Sequence, residues 1–272
     1  MPRITLAGAV TIDRYPDGER PGGSVLYGGR ALEGDAILVT ACRELPVSVC
    51  RVLHQTASST VTFENRYDAQ ERVAQWVHAP APTVSVHVPS GTELLILAPV
   101  LGELDLAAWV DAAPDAMVTL GAQGMLRSAP VVPGPVVPTE WRPSDHVLER
   151  LDAVFLSVED VRHQPELVPH LRRFVPLVVV TAGSEGATAF AAGRTLHVPA
   201  RRVSVVDPTG AGDTFHAVAA ARLASGCSLE DALDAAARAA ARCVGEPIVS
   251  WGAFARAPRL VARESLLASP KT

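Results

Sequence analysis

The chain has 272 residues, 48% of them hydrophobic and 19% charged, with a formal net charge of −5. That length and balance suit a soluble enzyme with a sizeable core, and exclude a disordered tail. The negative charge leaves no electrostatic case for nucleic acid or a membrane surface as partner. Lys271 is the single lysine, so there is no Gly-Lys-Ser/Thr phosphate loop and any nucleotide must be held by another route. The four cysteines form no CxxC pair or zinc spacing, which predicts free thiols in a reducing compartment. Met1-Pro2-Arg3 runs straight into a strand-like stretch, and no apolar run approaches transmembrane length. A cytoplasmic protein is the expectation.

Ile4 to Val10 is a short apolar run ending in small residues, the pattern of a buried central strand. Asp13 lies just past its carboxyl end, where open α/β sheets gather their ligands. By position alone it is either a ligand-holding carboxylate or an ordinary loop aspartate. Residues 14–23 are turn-rich and polar, and Gly22-Gly23 then opens GGSVLYGGRAL, a glycine pair leading into a helix that Gly28-Gly29 weakens. Ala36 to Thr40 and Val47 to Val52 read as strands. Thr60 to Tyr67 alternates, Asp68-Ala69-Gln70 turns, and Arg72 to His78 resumes. This hairpin is too polar for the middle of a parallel sheet.

Glu93 to Ala98 is a buried strand and Leu101 to Ala113 a helix with Trp109 in the core. Met117 to Leu120 leads into Gln123, whose amide, with glycine close on both sides, is placed to meet a hydroxyl or simply to sit in a loop. The five prolines of residues 129–144 predict an irregular connection. Ser157-Val158-Glu159-Asp160 follows the strand Ala153 to Leu156, and reads equally as a capped helical first turn or as hard oxygen ligands. Pro165 to Phe174 is a short helix. Leu177 to Thr181 is a β-branched strand, and the glycines Gly183 and Gly186 turn it back into Thr188 to Phe190. Ser228 caps a long Ala-rich helix, and Ala257 to Leu267 reads as a last surface helix. Alternation of strands and helices over most of the chain predicts a parallel sheet covered on both faces. No spacing suggests a hydrolase triad or a histidine-held metal.

The most informative stretch is Asp207-Pro208-Thr209-Gly210-Ala211-Gly212-Asp213-Thr214-Phe215. Three small residues precede a carboxylate, and the helical run Thr214 to Leu223 follows. A tight loop feeding a helix N-terminus favours an anion, and Asp213 beside it serves as helix cap or as general base. These nine residues resemble, without an identifiable mismatch, the second signature of the ribokinase (PfkB) family of sugar and nucleoside kinases. The Gly22-Gly23 stretch is similar to the first signature, although Tyr27 stands where many members carry asparagine.

The resemblance implies one α/β domain over residues 1–272, a ribokinase-like three-layer sandwich with a mostly parallel central sheet. A small β lid would be built from residues 11–23 and 58–79, and lids of this kind often pair between subunits, which makes a homodimer an expectation. It implies ATP-dependent phosphorylation of an alcohol on a small polyol, with Asp213 as general base and Gly210, Ala211 and Gly212 as anion hole. Asp13, Gly22, Gly23 and Gln123 would meet the acceptor. Thr181, Gly183, Gly186, Thr209, Gly210 and Gly212 would meet ATP. Asp160 and Glu159 would hold magnesium where the family usually reads Asn-x-x-Glu, and a monovalent cation is a further candidate cofactor. Ser59 to Asn65 and Gln123 to Arg127 look similar to pieces of myo-inositol kinases, which favours a cyclitol or related sugar. The alternatives are a nucleoside or furanose kinase, and a catalytically silent nucleotide- or sugar-binding protein on the same fold.

Overall fold

The computed structural model describes residues 2–45, 50–67, 73–191 and 193–245. In chain order its strands are β1 (Ile4–Ala7), β2 (Thr11–Tyr15), β3 (Gly18–Gly22), β4 (Ala36–Cys42), β5 (Arg51–Thr56), β6 (Val61–Tyr67), β7 (Val73–Ala79) and β8 (Leu94–Leu97). There follow β9 (Met117–Gly121), β10 (Arg127–Ser128), β11 (Gly134–Pro135), β12 (Val137–Pro138), β13 (Ala153–Ser157), β14 (Leu177–Thr181), β15 (Ala187–Ala191) and β16 (Arg194–Val198). The α-helices are α1 (Ser24–Ala31), α2 (Leu106–Asp111), α3 (Asp145–Arg150), α4 (Leu167–Leu171), α5 (Ala211–Ala224) and α6 (Leu229–Gly245).

Nine strands form the main sheet in the order β16-β15-β14-β13-β9-β8-β1-β4-β5. Every pairing from β14 through β5 is parallel, and β15 and β16 close one edge as antiparallel strands. Both faces are buried, which is why β8 (LLIL) and β14 (LVVVT) read as continuous apolar runs rather than alternating ones. Leu95, Leu97, Val178 and Val180 point to the side of Trp109 of α2, Leu148 of α3 and Leu171 of α4. Leu94 and Ile96 point to the other side, where Val25 of α1 and Ala217 of α5 pack, and Val179 meets Phe215 and the alanines of α6 there. Helix–sheet–helix layering follows. This is a mixed α/β, three-layer architecture.

Gly28 and Gly29, which cost α1 helical propensity, make room in return. A Cβ on Gly28 would press on Leu6 and on Ala217 of α5, and one on Gly29 would press on Cys50 and Leu38. The absence of side chains brings α1 down onto the sheet and against α5, so that the N-termini of these two helices lie together.

The second sheet has the order β11-β7-β6-β2-β3. Residues 14–23, turn-rich in composition and expected from the resemblance to join a β lid, belong to the antiparallel β2/β3 hairpin, and β6 joins it in parallel register through Thr11↔Val61 and Asp13↔Phe63. The β6/β7 hairpin is present from Thr62↔Ala79 to Tyr67↔Val73, while its Asp68-Ala69-Gln70 turn lies outside the described residues. The proline-rich connection is not wholly irregular: β11 adds to the edge of β7, and β10 pairs with β12. Proline is tolerated there because an edge strand need not donate on its outer side.

Other expectations need correction. The strand expected at 47–52 is β5, displaced to Arg51–Thr56, with residues 46–49 outside the description. The helix expected from Leu101 begins only at Leu106. Glu103 is drawn into the preceding loop by three backbone N–H groups, and Asp105 caps the helix by accepting from Ala108 N. The helix at 165–174 is reduced to α4, and α3, capped by Ser144, was not anticipated. Ser228 does cap α6, accepting from Asp231 N at 3.1 Å. The C-terminal helix expected at 257–267 lies outside the described residues. All four cysteines are free, and among the described residues no helix is long and apolar enough to cross a membrane.

Candidate active site

From β1 the chain runs outward through β4 to β5, then returns to β8 on the other side of β1 and proceeds through β9 and β13 to β14. The direction of winding therefore reverses between β1 and β8, and a crevice is expected at the carboxyl ends of those two strands. Buried Glu103 ties this point together: its carboxylate accepts from Ala9 N at 2.9 Å beyond β1, and from Val100 N and Leu101 N, at 2.9 and 2.8 Å, beyond β8. Three N–H donors satisfy a charge that would otherwise be costly to bury. The segments following β1, β8, β9 and β13, with the N-terminus of α5, supply the groups around the crevice.

Asp13 is half-buried on β2, with Thr11 donating to its Oδ1 at 2.8 Å. Loss of water raises its pKa from 3.8 to about 6, against the opposing effects of the Thr11 hydroxyl and Arg127, and Asp207 and Asp213 push it the same way as burial. Gly22 is required at its place across from Asp13, because a Cβ there would overlap the Asp13 carboxylate. Gly23, with φ of 97°, delivers the chain directly into α1, whose first residue Ser24 hydrogen-bonds Asp213.

Gly210 caps α5 in the left-handed conformation, φ 79° and ψ 1°. A Cβ on it would also overlap the ring of Tyr27, which is buried against the loop at 3% exposure. Tyr27 thus forms the floor of the loop. The helix begins at Ala211 rather than at Thr214, so Asp213 stands in its first turn. Thr209 N donates to Asp207 Oδ1 at 2.8 Å and Ala211 N to Pro208 O at 3.3 Å, so those two amides are engaged within the loop. Gly212 is exposed, and a Cβ there would meet nothing within 4 Å. Open space above a glycine at a helix N-terminus is the shape and polarity that an incoming phosphate needs.

Burial raises the pKa of Asp213 above the ordinary carboxylate range; Ser24 and Arg127 oppose that shift, and Asp160 adds to it. Arg127, beyond β9, is the cation of this group. It interacts with Asp160, Asp213, Glu103 and Asp13, in falling order of strength, and burial works against its charge. The sequence reading singled out Gln123 in the same segment, yet Gln123 is exposed on a 3-10 turn, Ala122–Met125, and Arg127 is the residue that reaches the carboxylates. An arginine two residues after Met125, at the end of a strand–turn unit, was the available signal.

Asp160 and Ser157 bond reciprocally, Ser157 N to Asp160 Oδ2 at 2.8 Å and Asp160 N to Ser157 Oγ at 3.1 Å, but in a turn rather than a helix. Glu159 beside it is exposed. Among the described residues no group of three or more His, Cys, Asp or Glu is arranged to enclose a metal. Thr181, paired with Ser157 across β13/β14, donates to Leu156 O at 3.4 Å, and the turn after it uses Gly183 (φ 53°) and Gly186 (φ 98°). His216, three residues beyond Asp213, stacks on Phe155 at 4.4 Å and shares a hydrogen bond with Thr119 Oγ1 at 2.9 Å. Burial pushes it down to about 3, so it is neutral packing and no proton carrier at pH 7.

Residues 146–250 match the family described as pfkB family carbohydrate kinase. The C-terminal part of the chain is thus similar to pfkB family carbohydrate kinases, and the whole has a ribokinase-like fold. One similar solved structure is a pyrophosphate-dependent kinase in the ribokinase family complexed with a pyrophosphate analog and myo-inositol. It has a TM-score of 0.73 and 20% identity, covering 90% of this chain and 96% of that one. A ribokinase from Thermotoga maritima has a TM-score of 0.67 and 16% identity, covering 90% and 94%. Curated relatives match over shorter stretches. A fructokinase from Rhizobium leguminosarum bv. trifolii is 56% identical over 41 residues, 15% of this chain and 13% of that protein. A ribokinase from Lactococcus lactis subsp. lactis (strain IL1403) is 37% identical over 93 residues, 32% of this chain and 31% of that protein. The matched stretches therefore span well under two thirds of either curated relative.

Proposed function

We propose that this chain is a phosphotransferase of the PfkB family that moves a phosphoryl group onto an alcohol of a small, uncharged polyol. The observation that carries the reading is the meeting of a half-buried Asp213, of raised pKa, with an open glycine loop at the N-terminus of α5. A base with its pKa raised towards neutrality accepts a hydroxyl proton more readily than an ordinary carboxylate. The acceptor oxygen attacks the terminal phosphorus in line, the new O–P bond forms, and the donor's bridging P–O bond breaks with its electron pair. The hydroxyl proton passes to Asp213. The N–H groups of Gly210, Gly212 and Asp213 receive the charge on the phosphoryl oxygens.

Asp13, across the crevice, accepts from acceptor hydroxyls, with Gly22 and Gly23 giving the backbone room to approach. Three carboxylates, Asp13, Asp160 and Asp213, face one arginine, so an acceptor that already bore a phosphate would be repelled. A neutral cyclitol such as myo-inositol, or a sugar, fits this balance. The second sheet acts as the lid that closes over it and excludes water; its outer face is the place for a homodimer contact. Asp160, with Glu159 beside it, suits a magnesium ion that keeps much of its water, since no closed protein cage is present among the described residues. That ion would neutralise charge on the donor phosphates. Thr181, Gly183, Gly186 and Thr209 line the donor side.

ATP is the donor in this reading. Pyrophosphate is the second reading, favoured by the likeness to a pyrophosphate-dependent kinase of the same fold. A matrix of the two donors against myo-inositol, ribose, fructose and nucleosides, followed by 31P NMR, tests both. Phosphate transfer to a polyol supports the proposal. Turnover confined to nucleosides replaces the cyclitol by the nucleoside-kinase alternative. Tight binding of donor and polyol with no transfer would identify a catalytically silent binding protein instead.

A further inference from the structure

Arg127 is moored from two sides. Its Nε donates to Val100 O of the main body at 2.6 Å, and its Nη1 donates to Gln75 Oε1 of β7 at 2.8 Å. Its guanidinium also lies over the ring of Phe63 of β6, 5.3 Å from the centroid. Two of these three contacts come from the second sheet. Gln75 is itself fixed: its Nε2 donates to Asn65 Oδ1 across the β6/β7 ladder at 3.3 Å, and its carbonyl accepts from Val136 N at 2.8 Å. With its side-chain nitrogen held by Asn65 and its backbone carbonyl by Val136, Gln75 presents Oε1 in one direction, so the fork of Arg127 is aimed rather than merely tolerated.

We propose that Gln75 is a positioning residue that turns Arg127 towards the space between Asp213 and the Gly210–Gly212 loop, making Arg127 a catalytic residue that neutralises the phosphoryl group in transit. This rests on the phosphotransferase reading. The groups facing Arg127 are Asp160 after β13, Asp213 on α5, Glu103 after β8 and Asp13 on β2. Glu103 is already satisfied by three backbone donors, which leaves the other three as the charges that Arg127 shares with a passing phosphoryl group. A guanidinium aimed in advance need not reorganise as charge develops, and that is where a fixed donor is most effective. Placing the anchor on the second sheet means the arginine is correctly aimed only when that sheet is seated.

The test compares Gln75→Met, which keeps length and removes the acceptor, with Gln75→Glu, which keeps an oxygen for Nη1, and with Arg127→Met. The Arg127 Nη–H signals are followed by 15N NMR in the unliganded chain, and kcat and KM are measured with the working donor and polyol. Gln75→Met is expected to speed exchange of the Arg127 Nη–H protons and to lower kcat about tenfold with little change in the acceptor KM. Gln75→Glu should recover most of that kcat, and Arg127→Met should lose more than either. An unmoved Arg127 signal with unchanged kcat in Gln75→Met overturns the proposal. So does a loss confined to KM. A wild-type chain that transfers no phosphate sinks the phosphotransferase reading, and with it the role given to Arg127, while the NMR arm still reports whether Gln75 holds the guanidinium.

Discussion

The two sheets of this protein are built on opposite principles. The main sheet is apolar on both faces, its strands sealed between helices, and it meets the crevice only through the loops at its carboxyl edge. The second sheet is thinner and wetter: its core is a small cluster around Val61, Phe63 and Val77, and polar pairs such as His78–Glu64 at 2.6 Å stand on it. The difference separates two tasks. The proposed base and anion loop sit beside the larger apolar core, whereas Asp13, Phe63 and Gln75 ride on the sheet with the smaller one. Chemistry would thus be common to the fold, and acceptor choice a property of the second sheet.

Asp213→Asn attacks the main-sheet side of that division and should have the largest effect. Turnover should fall by roughly a thousandfold, with the melting temperature held or raised, as read by a coupled assay beside thermal denaturation. Gly210→Ala should cost about 2–4 kcal/mol of stability, because strain at φ 79° adds to overlap with Tyr27. Gly212→Ala, two residues on, meets nothing and should leave stability level or up to about 1 kcal/mol higher. It should still raise the donor KM, because its methyl occupies the phosphate space. If both alanines destabilise equally, the loop does not rest on Tyr27 as described.

Asp13 tests the second sheet through its ionisation. Its pKa is raised in the folded chain from 3.8 to about 6, so folding favours the protonated form. The corresponding stability is fully present below about pH 4 and lost as pH rises through about 6. Asp13→Asn removes that penalty and should stabilise the chain at pH 7.5 by about 1–3 kcal/mol. The gain should vanish near pH 4, while affinity for the polyol falls. Denaturant melts at the two pH values decide it. The raised pKa of Asp213 predicts in addition that kcat/KM declines on acidification with a midpoint above the ordinary carboxylate range. The smallest effect is expected at the rim of the second sheet. Glu64→Gln removes one half of a partly exposed pair and should cost no more than about 1 kcal/mol.

Sequence and structure agree best where burial dictates pattern. β1, β8, β13 and β14 are legible because strands buried on both faces can hold little but apolar residues, whereas the Asp207–Phe215 stretch is legible through its resemblance to a family signature, its composition alone leaving cap and base open. Legibility failed where a side chain acts at long range. Glu103 looked like an ordinary helical residue and is instead the clasp between β1 and β8, ninety-four residues from its partner Ala9. Arg127 gave no signal apart from its place after a strand, because its role depends on Gln75 and Val100, which only the fold brings to it. Composition alone left residues 14–23 turn-like, because a two-stranded ribbon carries the same polar, glycine-rich residues as a loop, and only the resemblance pointed to a β lid there.

The most direct test of the account is a crystal structure of the chain with a polyol acceptor and a non-transferable donor analogue bound together. The account predicts one acceptor hydroxyl within about 2.6–3.2 Å of an Asp213 carboxylate oxygen. It also predicts that the terminal phosphate rests on the amides of Gly210, Gly212 and Asp213, with Asp13 holding other hydroxyls. An acceptor seated away from Asp213, or a phosphate bound elsewhere than at the start of α5, would contradict it.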